Sequence, residues 1–332
     1  MGFDGSWRYT ASDVAIFCVR RALLALFLIW SAASTAFLIT RLAPGDATIV
    51  EEQFLSPEDR EARRARLGLD RPLTEQYARW LGGMVRFDFG ESSLYSRPVA
   101  DLLRERTLNT SILAATALLL ATLLGVPAGV LTGRPRAGRA APVARAVSVA
   151  LLSLPPLVGS LLLVLLAART GWLPVGGMTS AAGSASWPAW IADVAIHLPV
   201  PALALALPLA ATLERLQSQA LQEAVRQPFV GAARARGVSS RAALIDHAWP
   251  ASLAPILGLY GLMVGSLFSG SFVVEMVTAW PGLGRLMVAA LLARDLYLAA
   301  GAAAAGATCL AVATFLTDVL HAALDPRVRE GL

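Results

Sequence analysis

Six stretches of this chain, at residues 18–40, 109–131, 143–168, 194–213, 249–273 and 298–321, are predominantly apolar. Each is near the roughly 20 residues that a helix needs to cross a hydrocarbon core about 30 Å thick. No water reaches that core, so each run must bond its own backbone groups, and a helix does so within one segment. The fold class therefore reads as an all-α integral membrane protein with six transmembrane helices. Pro199, Pro201 and Pro208 all fall in the fourth stretch. Such breakers persist in membrane helices when neighbouring groups satisfy the freed carbonyls. Charged residues make up only 15% of the chain, against about 25% in soluble domains.

The basic side chains exclude several functions. Lys and Arg together number 28, and every one is arginine. A P-loop needs a lysine to reach the β- and γ-phosphates, and Schiff-base catalysis needs one too. A pI near 9.8 invites a nucleic-acid reading, but the arginines sit between apolar spans and form no basic face. Cys18 and Cys309 lie far apart in apolar runs and read as small buried hydrophobes. No His-Glu-x-x-His spacing occurs among His197, His247 and His321. The spans carry no convergent Ser/His set or carboxylate pair that an intramembrane enzyme would require.

Arginine also orients the chain. The 132–142 loop holds Arg134, Arg136 and Arg139, and the 214–248 loop holds Arg215, Arg226, Arg234, Arg236 and Arg241. On the other side, the 169–193 loop holds only Arg169, and the 274–297 loop holds Arg285 and Arg294. The positive-inside rule puts the first pair in the cytoplasm, together with both termini, residues 1–17 and 322–332. The long 41–108 segment then lies outside, since long segments translocate largely regardless of charge. Arg20, Arg21 and "SAASTA" imitate a signal peptide, but the apolar run continues through Phe37, Leu38 and Ile39 and reads as an uncleaved anchor. Within the long segment, helices are expected at 57–67, with Ser56 as cap and Gly68 as stop, and at 73–85, with Thr74 as cap. Trp80 and Phe87 are expected either at the membrane interface or on a solvated surface element without contact to solute.

"PFVGAARARGVSS", residues 228–240, is too polar to cross a bilayer. Pro228 suits a helix start and Gly237 a helix end. Gly231, Ala232 and Ala235 permit close approach, while Phe229 and Val230 offer an apolar grip. Arg234 and Arg236 flank the C-terminal end, where positive charge is favoured. Ser239 and Ser240 can cap the next helix. The piece reads as a short helix in the membrane plane, set against either a protein partner or lipid headgroups.

"VGAARARGVSS", followed by "IDHAWPASLAPIL", resembles the cytoplasmic EAA loop of binding-protein-dependent ABC transporter permeases. Ala232, Ala233 and Gly237 hold that pattern's alanines and glycine. Gly231 replaces its glutamate, and His247-Ala-Trp249-Pro250 replaces its Ile-x-Leu-Pro. The run Ala233-Arg-Ala-Arg236-Gly237 is similar to the dipeptide, oligopeptide and nickel branch. "RLAPGDA" (41–47), "LGLDRPLTEQYARWL" (67–81), "DFGESSLYSRPV" (88–99), "GWLPVGG" (171–177), "HLPVPALALALPLA" (197–210), "VVEMVTAWPGLGRLM" (273–287), "RDLYLAAG" (294–301) and "DPRVRE" (325–330) extend the likeness over nearly the whole chain.

The resemblance implies a type I importer permease of the first-subunit kind, with a core at 98–321, in a bacterial or archaeal cell membrane. It implies a second homologous permease subunit, two ABC ATPase subunits that hold ATP-Mg, and an extracytoplasmic solute-binding protein. No cofactor and no enzymatic step are expected in this chain. Peptides are the expected solute, with nickel or another small solute as the alternative. Pro228, Phe229, Gly231, Ala232, Ala233, Arg234, Ala235, Arg236 and Gly237 would couple to the ATPase, the two arginines meeting either its acidic groups or lipid headgroups. Glu275, Pro281, Gly282 and Gly284 are candidates for an external gate or loop. Pro281-Gly-x-Gly284 lacks the strand-then-helix setting of a phosphate loop and reads as a tight external turn. Glu275 and Asp318 are ionisable groups near span ends, which makes each a functional candidate or a packing residue.

Overall fold

The computed structural model describes residues 11–42, 58–59, 65, 70–135, 138–180 and 186–324. The helices are α1 (Ala11–Leu42), α2 (Leu73–Val85), α3 (Val99–Gly133), α4 (Ala140–Leu152), α5 (Pro156–Thr170), α6 (Trp187–His197), α7 (Pro199–Arg226), α8 (Pro228–Ala235), α9 (Ser240–Ala242), α10 (Trp249–Leu257), α11 (Tyr260–Val277), α12 (Leu283–Leu292) and α13 (Leu296–Leu324). A π-helical turn, Ala243–Ala248, joins α9 to α10. No strand occurs among the described residues, only an isolated bridge between Glu91 and Pro98. Five helices are long and apolar enough to cross a membrane, and six spans result if the bent pair α4–α5 counts as one.

Several helices depart from the expected spans. The run at 143–168 is two helices meeting at 108°. Pro155 and Pro156 cannot donate backbone bonds, and the residue before a proline is pushed out of the α region. Pro156 then serves at the first position of α5. The run at 249–273 breaks between α10 and α11 at Gly258 and Leu259, after Pro255. The run at 194–213 begins later and extends much further. Pro199 and Pro201 fall in the first turn of α7, where a missing N–H costs nothing, and only Pro208 lies inside. α7 continues through 214–226, residues expected in a loop, because Glu214, Gln217, Ser218, Leu221 and Ala224 are buried against other helices. α3 starts ten residues before the expected 109, because the polar turn through Asp101 and Arg106 is helical as well.

The most extensive helix pair is α3 with α7. It closes along Gly125, Gly129 and Gly133, spaced four apart on one face of α3. A Cβ at Gly125 would stand 2.5 Å from the Ala210 carbonyl, one at Gly129 2.5 Å from Gln217 Cβ, and one at Gly133 2.8 Å from the Ser218 carbonyl. Small residues at this spacing let membrane helices meet backbone to backbone. Thr132 Oγ1 donates to Glu214 across this seam. Gln217 Nε2 donates to Ser252 Oγ at 2.7 Å and so ties α7 to α10.

The described part of the long segment, 70–98, packs on α1 and α13. α2 occupies the expected 73–85, but Pro72 precedes it without a side-chain cap, so Thr74 is not the cap. Trp80 is buried rather than interfacial: it stacks on Phe37 with ring centroids 5.0 Å apart. Tyr77 Oη lies 2.8 Å from Ser34 Oγ and accepts from Trp30 Nε1 at 3.0 Å. Phe87, by contrast, is exposed. The helix expected at 57–67 lies almost wholly outside the described residues. Asp318 pairs with Arg21 at 2.6 Å and joins α13 to α1.

Candidate functional site

α7 delivers the coupling segment. At about 1.5 Å per residue its 28 residues reach roughly 42 Å, and α8 follows after Gln227 alone. Pro228 sits in the first turn of α8. The helix ends in a Schellman motif. The Gly237 N–H donates to the Arg234 carbonyl at 3.0 Å and the Val238 N–H to the Ala233 carbonyl at 3.2 Å. That closure requires a left-handed residue, and Gly237 has φ +91°. Ser239 caps the next helix by accepting from the Ala242 N–H at 3.2 Å, while Ser240 belongs to the helix itself.

One face of α8 is spent on the protein's own core. Val230 and Ala233 are buried with Leu221, Ala224, Ala243 and Ala248, and Val238 packs beside them. The opposite face is open. Phe229, Gly231, Ala232, Arg234, Ala235 and Arg236 are exposed, and nothing lies within 4 Å of a Cβ built at Gly231 or Gly237. Two expectations change here. Val230 is not part of an outward grip, and Ala233 packs inward. Both follow from the way α8 folds back on α7, which takes up one stripe of the helix.

At the other end of α3 the structure gathers Glu275, Pro281, Gly282 and Gly284. Glu275 is fully buried at the end of α11. Its carboxylate sits on the first turn of α12, accepting from the Arg285 N–H at 3.1 Å. A helix N-terminus favours a negative group. A Cβ at Gly282 would lie 2.3 Å from the Glu275 carboxyl, and one at Gly284 2.7 Å from Phe272 Cα, so both glycines permit close approach. Gly282 is extended and α12 starts at Leu283. The turn comes just before, where Ala279 has φ +52° and the Gly282 N–H donates to the Trp280 carbonyl.

Apolar pattern missed the partners of this cluster. Thr110 Oγ1 donates to Glu275 Oε1 at 2.7 Å and accepts from the Leu283 N–H at 2.7 Å. Asn109 Nδ2 and Arg106 Nη1 both donate to the Pro281 carbonyl, at 2.8 and 3.2 Å. The buried Trp280 indole N–H donates to the Asn109 carbonyl at 3.1 Å. Asp295 is a second missed residue. Buried at the start of α13, it accepts from Ser92 Oγ at 2.6 Å, the Leu94 N–H at 3.0 Å and the Leu298 N–H at 3.1 Å. The available signal was the polar pair Asn109–Thr110 at a span's edge and a lone aspartate before an apolar helix. Among the described residues no group of three His, Cys, Asp or Glu gathers to hold a metal.

Comparison with known families decides the class. Residues 125–330 match the binding-protein-dependent transport system inner membrane component, and residues 14–99 match the N-terminal part of such membrane components. This chain belongs to that permease family. The oligopeptide transport system permease protein AppB of Bacillus subtilis (strain 168) is 31% identical over 318 residues, covering 95% of this chain and 99% of that protein. A putative peptide transport system permease protein of Brucella abortus (strain 2308) is 34% identical over 295 residues, 88% of this chain and 92% of its own. The glutathione transport system permease protein GsiC of Escherichia coli O1:K1 / APEC is 30% identical over 295 residues, with the same coverage. The chain is thus an integral membrane permease subunit of an ABC importer, and it works with partner subunits.

Proposed function

We propose that this permease forms one half of the solute pathway of an ATP-driven peptide importer and takes its energy through α8. The observation that carries this reading is the two-sided construction of α8. Val230 and Ala233 fasten it to the protein's own core, while Phe229, small residues and two arginines face outward at the tip of α7. A helix held so firmly on one side transmits a push from the other. The solute class rests on the relatives named for oligopeptide, peptide and glutathione transport, glutathione being itself a tripeptide.

The partners are a second homologous permease, two ATPase subunits holding ATP-Mg, and an extracytoplasmic binding protein that delivers solute. The chain itself holds no cofactor and performs no hydrolysis, in keeping with its lack of lysine. α8 and both termini face the cytoplasm, and Glu275 with the Pro281–Gly284 turn faces outward, following the arginine-rich loops at 132–142 and 214–248. ATP-driven closure of the ATPase pair shifts the permease only because the α8 contact differs in energy between the inward- and outward-open states.

The test is a disulfide cross-link. Ala235→Cys, in a Cys18→Ser, Cys309→Ser background, is expected to bond to a groove cysteine on the co-expressed ATPase, with a yield that changes on adding ATP-Mg. An introduced thiol shielded by lipid, with no cross-link, refutes the coupling role. In the same system Gly237→Asp is expected to reach the membrane but to lose tripeptide uptake.

A further inference from the structure

The seam between α3 and α7 and the cluster around Glu275 lie on one continuous helix. From Thr110 to Gly133, α3 runs about 34 Å at 1.5 Å per residue. At its inner end Gly125, Gly129 and Gly133 seat it directly on the α7 backbone, and α7 carries α8. At its outer end Arg106, Asn109 and Thr110 hold the Trp280–Gly284 turn by side-chain bonds. Thr110 is the centre of that hold, since its hydroxyl donates to the Glu275 carboxylate and accepts from the first amide of α12. The carboxylate in turn accepts from the Arg285 amide of that turn. The Leu283 and Arg285 amides at the start of α12 are thereby committed to α3 and α11.

We infer that Thr110 and Glu275 are positioning residues for transport: they make the outer turn and α12 ride on α3, so that movement of α8 reaches the outer mouth through α7 and α3 as one body. This rests on the coupling reading of α8. Neighbouring parts have places to bend, at the 108° elbow between α4 and α5 and at the Gly258 break between α10 and α11, whereas α3 stays one helix even through Pro127, which lies between Gly125 and Gly129. The path from α8 to α12 has a packed seam at one end and six side-chain-mediated bonds at the other.

The test uses the assembled transporter in nanodiscs, with spin labels at Leu108 on α3 and Leu292 at the end of α12, both exposed. Distances are measured without nucleotide and with ATP-Mg plus vanadate. In the otherwise unaltered protein the Leu108–Leu292 distance should hold constant while Leu108 moves relative to a label on the second permease subunit. Thr110→Val keeps the side chain's shape and removes the hydroxyl. It should make the Leu108–Leu292 distance change with nucleotide, while Thr110→Ser restores constancy. A constant distance in Thr110→Val overturns the inference, as does a nucleotide-dependent distance in Thr110→Ser, which would make methyl packing the true hold. Failure of the coupling reading looks different. Leu108 would then move equally in Gly237→Asp and in the unaltered permease, whatever the clasp does.

Discussion

Gly125→Ala puts one methyl group into the tightest part of the α3–α7 seam. The new Cβ would stand 2.5 Å from the Ala210 carbonyl oxygen, 2.7 Å from Leu213 Cβ and 3.0 Å from Ala210 Cα. All three atoms are fixed by the backbone of α7, so no side-chain rotation relieves the overlap. Ordinary contact begins near 3.4 Å, and the helices must therefore part by roughly 1 Å. A gap of about 0.5–1 Å forfeits a quarter to a half of each van der Waals attraction along the seam. It also lengthens the Thr132–Glu214 bond. Overpacking of this kind costs about 1–3 kcal/mol, and the better helix propensity of alanine returns at most about 1 kcal/mol. A net loss of about 1–2 kcal/mol is expected, read as a lower SDS mole fraction at the unfolding midpoint of the purified permease. Gly159→Ala in α5 is the control, since no atom lies within 4 Å of its Cβ. If Gly125→Ala unfolds at the same or a higher SDS fraction than Gly159→Ala, the seam does not hold the helices by close approach.

Further outcomes are expected at three positions. Gly237→Ala meets no steric neighbour and pays only for its left-handed backbone, about 1–2 kcal/mol; hydrogen exchange at the amides of positions 237 and 238 should quicken by about five- to thirtyfold, as follows from about 1.4 kcal/mol per decade. Asp295→Ala removes the acceptor for Ser92, Leu94 and Leu298. With a bond to a charged group worth about 1.5–3 kcal/mol, hydrogen exchange at the Leu94 amide, which loses one such bond, should quicken by about ten- to a hundredfold. Ser239→Ala deletes a helix cap and should lower stability by about 1 kcal/mol in the same SDS titration.

Local chemistry was legible where neighbouring residues along the chain set the conformation. The helix at 73–85 and the helix from Pro228 with its Gly237 stop depend on prolines, a glycine stop and short-range periodicity, and both form. The apolar runs likewise announced a membrane protein, because mean hydropathy needs no knowledge of neighbours. Where those runs bend was less legible. Pro155-Pro156 breaks one span, whereas Pro208 is carried inside α7, and a proline's local cost is similar in both places.

What only the tertiary structure decided is which side of each helix meets what. A membrane helix is apolar toward lipid and toward protein alike, so periodicity cannot separate its faces. Gly125, Gly129 and Gly133 became a seam only because α7 lies against them. Residues 214–226 became helix rather than loop only because α3 and α10 bury them. Glu275 read as an isolated charge near a span end until Thr110, 165 residues away, and the nearby start of α12 converged on its two oxygens. The sequence by itself determined the class of molecule and the short helix at the tip of α7. The fold determined how that tip is joined to the opposite face, since a buried carboxylate persists in so apolar a chain only where other helices bring it donors.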